Sequence, residues 1–396
     1  MLFNSGGVVS MFMPKTKKAN KTLATWSAKD VSKGSRVLLR VDANIPLVHG
    51  EVDEHNLLRI RAAVPEIQRL LKRGARVIIA THLGRPHGRH VSALSTSVLA
   101  NAFARELGSP VRWIAHVVGR KAEFAIARLK PGSVAMLENL RFEQGEEKND
   151  EKFAQSLARL ADVYVNNAFG VCHERHASVH AVTKYLPSFA GELLLKEVRA
   201  LRLPAKRPLV VVVGGAKIES KIPMLHKLGR HADAIIIGGG AALTFIAAAG
   251  GSFGFPADEF TQRDDVAEAK MLLRYYGDKI VLPRDLVASR LRKAVIDIGA
   301  RSLRHASHIL AEARTIVWNG PMGITEEPDG CFATLGVAWA IASNTSAYSI
   351  VGGGETVTFV ESTGLIDRFS HVSTGGGAML AFLADEPMPG IRVLEK

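Results

Sequence analysis

Leu209-Val210-Val211-Val212-Val213-Gly214-Gly215-Ala216-Lys217 is a run of five consecutive apolar residues, four of them β-branched, that stops on two glycines. A strand with one wet face alternates apolar and polar residues. A continuous apolar run is instead buried on both faces, as in parallel sheets covered by helices on each side. The same pattern recurs at 36–42, 76–81, 133–137, 234–237, 314–318 and 348–351. Between these runs lie helix-length amphipathic segments, among them 61–73, 97–107, 151–161 and 264–276. Strand–helix alternation of this kind predicts an α/β fold with doubly wound parallel sheets. Ligands in such sheets sit beyond the carboxyl ends of the strands, so the residues after each run are the candidates for function.

With 396 residues the chain exceeds one ordinary core and suits two domains. The segment 189–204 reads as one helix ending at a proline, near the midpoint, and it is expected to join the two halves. The boundary is accordingly placed between 1–193 and 194–384, with residues 1–20 as an extension. The two cysteines, Cys172 and Cys331, are far apart and form neither a disulfide framework nor a metal-ligand spacing. No stretch has the roughly 18 to 20 apolar residues needed to span a bilayer. The mildly apolar start lacks a basic region ahead of it, since Lys15, Lys17 and Lys18 follow it. A cytoplasmic monomer with no membrane partner is expected.

The formal charge of +13 is lopsided. Residues 1–190 hold 28 Lys and Arg against 16 Asp and Glu, and the remainder holds 23 against 22. The first half is therefore the one expected to meet a polyanion. Base stacking would call for aromatics among the basic residues, and almost none are there, so a small phosphorylated molecule is preferred over nucleic acid.

Four clusters follow strands in that half. They are Arg40-Val41-Asp42-Ala43-Asn44-Ile45-Pro46, Thr81-His82-Leu83-Gly84-Arg85-Pro86, Glu138-Asn139-Leu140-Arg141-Phe142, and Asn166 through His176. If the strands are neighbours, Arg59, His82, Arg85, Arg141 and His173 or Arg175 come to one rim, where guanidinium groups can chelate phosphate or carboxylate. Asp42 and Asn44 suit a sugar-acid hydroxyl. Any one of these arginines alone reads better as a surface ion pair; convergence at several strand ends is what favours a site.

The second half places glycines at equivalent points: Gly214-Gly215-Ala216-Lys217, Gly238-Gly239-Gly240, Gly352-Gly353-Gly354-Glu355-Thr356 and Thr374-Gly375-Gly376-Gly377. Glycine lets the backbone approach a ligand, and the helix that follows offers free N–H groups to phosphate. Lys217 and Lys221, at i and i+4, share a face if the helix starts early. Neither the G-x-x-x-x-G-K-[ST] loop nor the G-x-G-x-x-G fingerprint is present. Trp318-Asn319-Gly320-Pro321-Met322-Gly323, followed by Glu326, adds a rigid loop with an acid suited to ribose hydroxyls.

These motifs, with Gly145 to Asp150 and Ser373 to Ala378, resemble phosphoglycerate kinase in order and near-spacing from about residue 36 to 393. The resemblance implies two doubly wound, Rossmann-like domains joined by a hinge helix. It also implies reversible phosphoryl transfer, within glycolysis or gluconeogenesis, between 1,3-bisphosphoglycerate and MgADP, giving 3-phosphoglycerate and MgATP. Asp42, Asn44, Arg59, His82, Arg85, Arg141, His173 and Arg175 would hold the phosphoglycerate. Gly215, Lys217, Lys221, Gly239, Gly240, Asn319, Glu326, Gly353, Gly354, Glu355 and Thr356 would hold ADP or ATP. Arg59, Lys221, Gly376 and Gly377 would act on the transferring group, and Glu355 would help hold Mg2+. The tail 385–396 would complete the first domain.

Four positions depart from the family pattern. Ala43 stands for Phe, Asn167 for Asp, and Glu355 for the Asp near the metal. The family's His-Arg pair reads His173-Glu174, with Arg175 displaced by one residue. These departures carry an alternative expectation, a relative that binds nucleotide or phosphoglycerate without efficient transfer.

Overall fold

The computed structural model describes residues 8–9, 22–53, 56–202, 205–252, 262–289 and 293–396. The extension expected at 1–20 lies outside these residues, apart from Val8 and Val9. The chain divides into two compact units, one holding residues 22–199 with Pro387–Lys396 and the other Ala200–Glu386.

The first unit is built on six parallel strands: β1 (Arg36–Arg40), β2 (Arg76–Ala80), β3 (Val111–Ile114), β4 (Val134–Leu137), β5 (Val163–Asn166) and β6 (Ser188–Ala190). Their spatial order is β3-β4-β2-β1-β5-β6. Because side chains alternate across a strand, β1 feeds two cores. Val37 and Leu39 join Val77, Ile79, Met136 and Val165 on one face, under α1 (Leu58–Lys72) and α2 (Ser97–Leu107). Leu38 joins Ile78, Ala135, Leu137 and Tyr164 on the other, under α3 (Arg120–Ala127) and α4 (Glu151–Ala158). Burial on both sides is why these strands carry no polar alternation. Asp150 starts α4 by accepting the N–H of Phe153 at 2.7 Å. Pro387–Lys396 is stitched to the same unit: Gly390 N donates to Cys172 O (3.0 Å) and Ala24 N to Leu394 O (2.8 Å).

The segment read as one helix over 189–204 is not one. Ser188–Ala190 pairs parallel with Tyr164–Asn166 as an edge strand, and the helix α5 (Glu192–Arg202) starts only after Gly191; Leu203 and Pro204 lie outside the described residues. Two side chains hold its first turn. Glu66 Oε2 accepts from Glu192 N (2.8 Å) and Asn167 Oδ1 from Leu193 N (2.9 Å). α5 crosses the boundary between the units, which falls between Arg199 and Ala200.

The second unit has its own six-stranded parallel sheet: β7 (Leu209–Val213), β8 (Ala234–Ile237), β9 (Ile280–Val281), β12 (Thr315–Asn319), β13 (Tyr348–Gly352) and β14 (His371–Val372). The order is β9-β8-β7-β12-β13-β14, so the winding direction reverses between β7 and β12. An antiparallel pair, β10 (Leu286–Ser289) and β11 (Ala294–Ile298), stands beside it. The helices that bear on function are α6 (Ile222–Gly229), α7 (Gly239–Ala248), α8 (Arg263–Tyr276), α9 (Ala300–Glu312), α10 (Phe332–Ser343), α11 (Gly354–Ser362) and α12 (Gly376–Leu383).

Element ends also shift from the reading. β1 stops at Arg40, two residues short, which leaves Val41 and Asp42 in the loop at the strand end. α4 stops at Ala158 rather than 161, and β12 runs on to Asn319. Lys217 precedes the helical turns that begin at Glu219, so Lys217 and Lys221 do not share a helix face.

Candidate active site

At the end of β1, Arg40 is fully buried and spoken for. It donates from Nε to Ser178 Oγ (3.0 Å), from Nη1 to Val41 O, and lies 3.2 Å by Nη2 from His82 Nδ1. Ser178 is in turn fixed by the buried Glu146, whose Oε2 accepts the Ser178 N–H at 2.9 Å. Arg59 reaches from α1 to the same loop, donating from Nη1 to Asn44 O (2.8 Å) and Asp42 Oδ1 (3.2 Å). Asn44 Oδ1 accepts the N–H of Gly84 at 2.8 Å and so ties the loops after β1 and β2 together. Arg141 bridges from the third loop, donating from Nη1 to Gly84 O (2.9 Å) and from Nη2 to Glu174 Oε2 (3.0 Å).

Asp42, Asn44, Arg59, His82 and Arg141 are thus brought together, with Arg40 beneath them. Burial holds the His82 imidazolium well below its usual range, and the Arg40, Arg141 and Arg59 charges press the same way, so the ring is neutral at pH 7. His173 joins through Glu174, its Nε2 lying 3.8 Å from Glu174 Oε1. Arg85 is exposed, next to Gly84. Arg175 is exposed, and its charge is felt at His180 and Lys184. Glu174, not Arg175, faces Arg141.

In the second unit the glycine loops gather at the reversal of the sheet. Gly214 N donates to Asn319 O (3.0 Å), Gly215 N to Pro321 O (2.6 Å) and Gly239 N to Met322 O (2.7 Å). A Cβ on Gly214 would sit 2.0 Å from Pro321 O, so the two strand ends meet backbone to backbone where no side chain fits. Beside them is a cavity of about 490 Å³ whose lining includes Gly215, Gly239, Gly240, Glu326 and Glu355.

Lys221 is buried, donates from Nζ to Lys217 O (2.7 Å), and lies close to Gly215. Burial lowers its pKa, and the nearby Glu355 carboxylate opposes that shift. The Lys217 side chain is exposed. Asn319 is buried against Gly353, and its Nδ2 has no hydrogen-bond partner among the described residues. Gly376, first in α12, packs on Gly353, and Gly377 follows it; Gly354 is open. Thr356 faces inward instead: its Oγ1 accepts the Gly320 N–H at 3.0 Å.

Part of the cavity wall was not read from sequence. Leu243, Ile324 and the β11 residues Ala294 to Ile296 join Met322 in an apolar side, and Asp297 closes it. The available signal was the β-branched run Ala294-Val295-Ile296-Asp297-Ile298. Burial pushes the Asp297 carboxyl up to about 6, although the N–H groups of Ala333 and Ile298, each 2.8 Å away, oppose the shift.

A family model described as phosphoglycerate kinase matches residues 28–386. The chain belongs to the phosphoglycerate kinase family. It is 43% identical over 382 residues to the phosphoglycerate kinase of Thermomicrobium roseum, covering 91% of this chain and 96% of that one. It is 43% identical over 394 residues to that of Moorella thermoacetica, covering 94% and 99%. The crystal structure of phosphoglycerate kinase from Pyrococcus horikoshii superposes with a TM-score of 0.84 at 33% identity, covering 91% of this chain and 96% of that one. The structure of the Coxiella burnetii phosphoglycerate kinase gives 0.77 at 32%, covering 94% and 99%. The chain is accordingly a glycolytic kinase that exchanges a phosphoryl group between a carboxyl group and ADP or ATP.

Proposed function

We propose that the first unit holds 3-phosphoglycerate or its bisphosphate and that the second holds the Mg-bound adenine nucleotide. The observation that carries this reading is the gathering of Arg59, Arg141 and His82 at the ends of β1, β2 and β4. Arg141, His82 and Arg85, with His173, then face the phosphorylated acid. Asp42 and Asn44 face its hydroxyl and hold Arg59. In the second unit the apolar wall accepts the base, Glu326 the ribose, and Lys221, Asn319 and the 353–355 loop the phosphates.

The acceptor is the substrate's own carboxylate, ionised at neutral pH because such groups titrate near 4, so no general base is needed. Catalysis reduces to positioning and to stabilising charge on a loose phosphoryl group. Arg59, Lys221 and the amides of Gly376 and Gly377 supply that stabilisation. Transfer requires the acceptor carboxylate and the donor phosphate in contact with water excluded. Glu355 lines the cavity close to Lys221 and would be the protein ligand of Mg2+, with the nucleotide phosphates as its other partners. When bound, Mg2+ supplies charge neutralisation between the phosphates. No helix of the described residues is long and apolar enough to cross a membrane.

Arg59→Ala tests the reading. Turnover in a coupled assay of ATP formation is expected to fall by about 10² to 10³ while nucleotide affinity by calorimetry stays put. Equal loss of both would reject the role given to Arg59.

A further inference from the structure

We propose that Glu174 is a resident carboxylate that occupies Arg141 in the ligand-free enzyme and must yield it when phosphoglycerate binds, so that Glu174 sets the affinity of this site. The inference rests on the reading of Arg141 as a substrate contact. Glu174 Oε2 lies 3.0 Å from Arg141 Nη2 and 3.1 Å from His176 Nδ1, and Oε1 lies 3.8 Å from His173 Nε2. Arg141 also has Glu147 Oε1 at 3.3 Å from its Nε. Two carboxylates therefore already neutralise the guanidinium meant for an anion.

The cluster has hydrogen-bonding capacity to spare. The contacts of Arg141 Nε and His176 Nδ1 with those carboxylates miss hydrogen-bond geometry, and the buried His173 Nδ1 has no hydrogen-bond partner among the described residues. Buried nitrogens without a well-formed hydrogen bond suit a ligand with more oxygens than one carboxylate offers. The Arg141 side chain is 6% exposed and is anchored on Gly84 O, whereas that of Glu174 is 29% exposed, so the acid is the partner freer to leave. An incoming phosphate would otherwise sit against Glu174 with like charge, which disfavours binding. The neighbouring Arg175 is exposed to solvent.

The test is titration of 3-phosphoglycerate into the full chain without nucleotide, for wild type, Glu174→Gln, Glu174→Arg and Arg141→Ala. Melting temperature is read on the same samples, and Glu174→Ser replaces any Glu174 variant that does not fold. Glu174→Gln is expected to tighten binding by about tenfold, the scale of one partly buried ion pair, and Glu174→Arg by more. In steady state the fall appears in KM for phosphoglycerate and not in KM for the nucleotide. Unchanged or weaker binding in Glu174→Gln, with Arg141→Ala impaired, overturns the inference and leaves the site reading standing. Arg141→Ala binding as tightly as wild type would instead remove the site reading itself.

Discussion

Asp297 carries two backbone N–H groups and a cavity wall on one buried carboxylate, and its protonation has a thermodynamic consequence. Its folded pKa of about 6 lies above the ordinary value of 3.8. The folded chain therefore holds that proton more tightly than the unfolded one. The associated stability is full below about pH 4 and is lost as pH rises through 6. In Asp297→Asn that dependence vanishes, so the variant's stability deficit in urea melts is expected to shrink by up to about 3 kcal/mol between pH 4 and 7. A deficit that does not change with pH would show that the carboxyl is not perturbed. Other single residues differed in how far their sequence could be read. His82 follows a buried strand and Arg59 opens the next helix, and it was the convergence of several strand ends, not either residue alone, that brought them forward. The fate of Glu174 was not legible, since adjacent side chains leave the backbone in different directions and only the fold shows which one meets Arg141.

Among the elements, α5 shows what periodicity misses. The apolar pattern of 189–204 runs unbroken through an edge strand and a helix, and what separates them is Gly191. A Cβ there would sit 2.4 Å from Asn167 Oδ1, the atom that caps the helix. Gly191→Ala is expected to cost about 1–3 kcal/mol in denaturant melts, through overpacking and a disturbed cap. A neutral substitution would mean that the junction yields freely. The long buried strands were readable because both their faces are apolar. β10 and β11 were overlooked because antiparallel strands with mixed exposure give a weak signal.

For the molecule as a whole, the two-unit α/β architecture was legible, since strand–helix alternation leaves few other ways to cover the sheets. Each unit holds two of the four tryptophans, Trp26 and Trp113 in one and Trp318 and Trp339 in the other. Variants retaining only one pair are expected to report separate responses to ligand. 3-Phosphoglycerate should raise the melting temperature seen by the first pair, and MgADP that seen by the second. A single shared shift for either ligand would show that the units melt as one. Finally, residues 387–396 lie on the far side of the second unit in sequence yet form part of the first. During synthesis the early-emerging unit cannot knit its Ala24–Leu394 and Lys396–Thr22 backbone bonds until the later one has been made. The half made first is thus the half finished last.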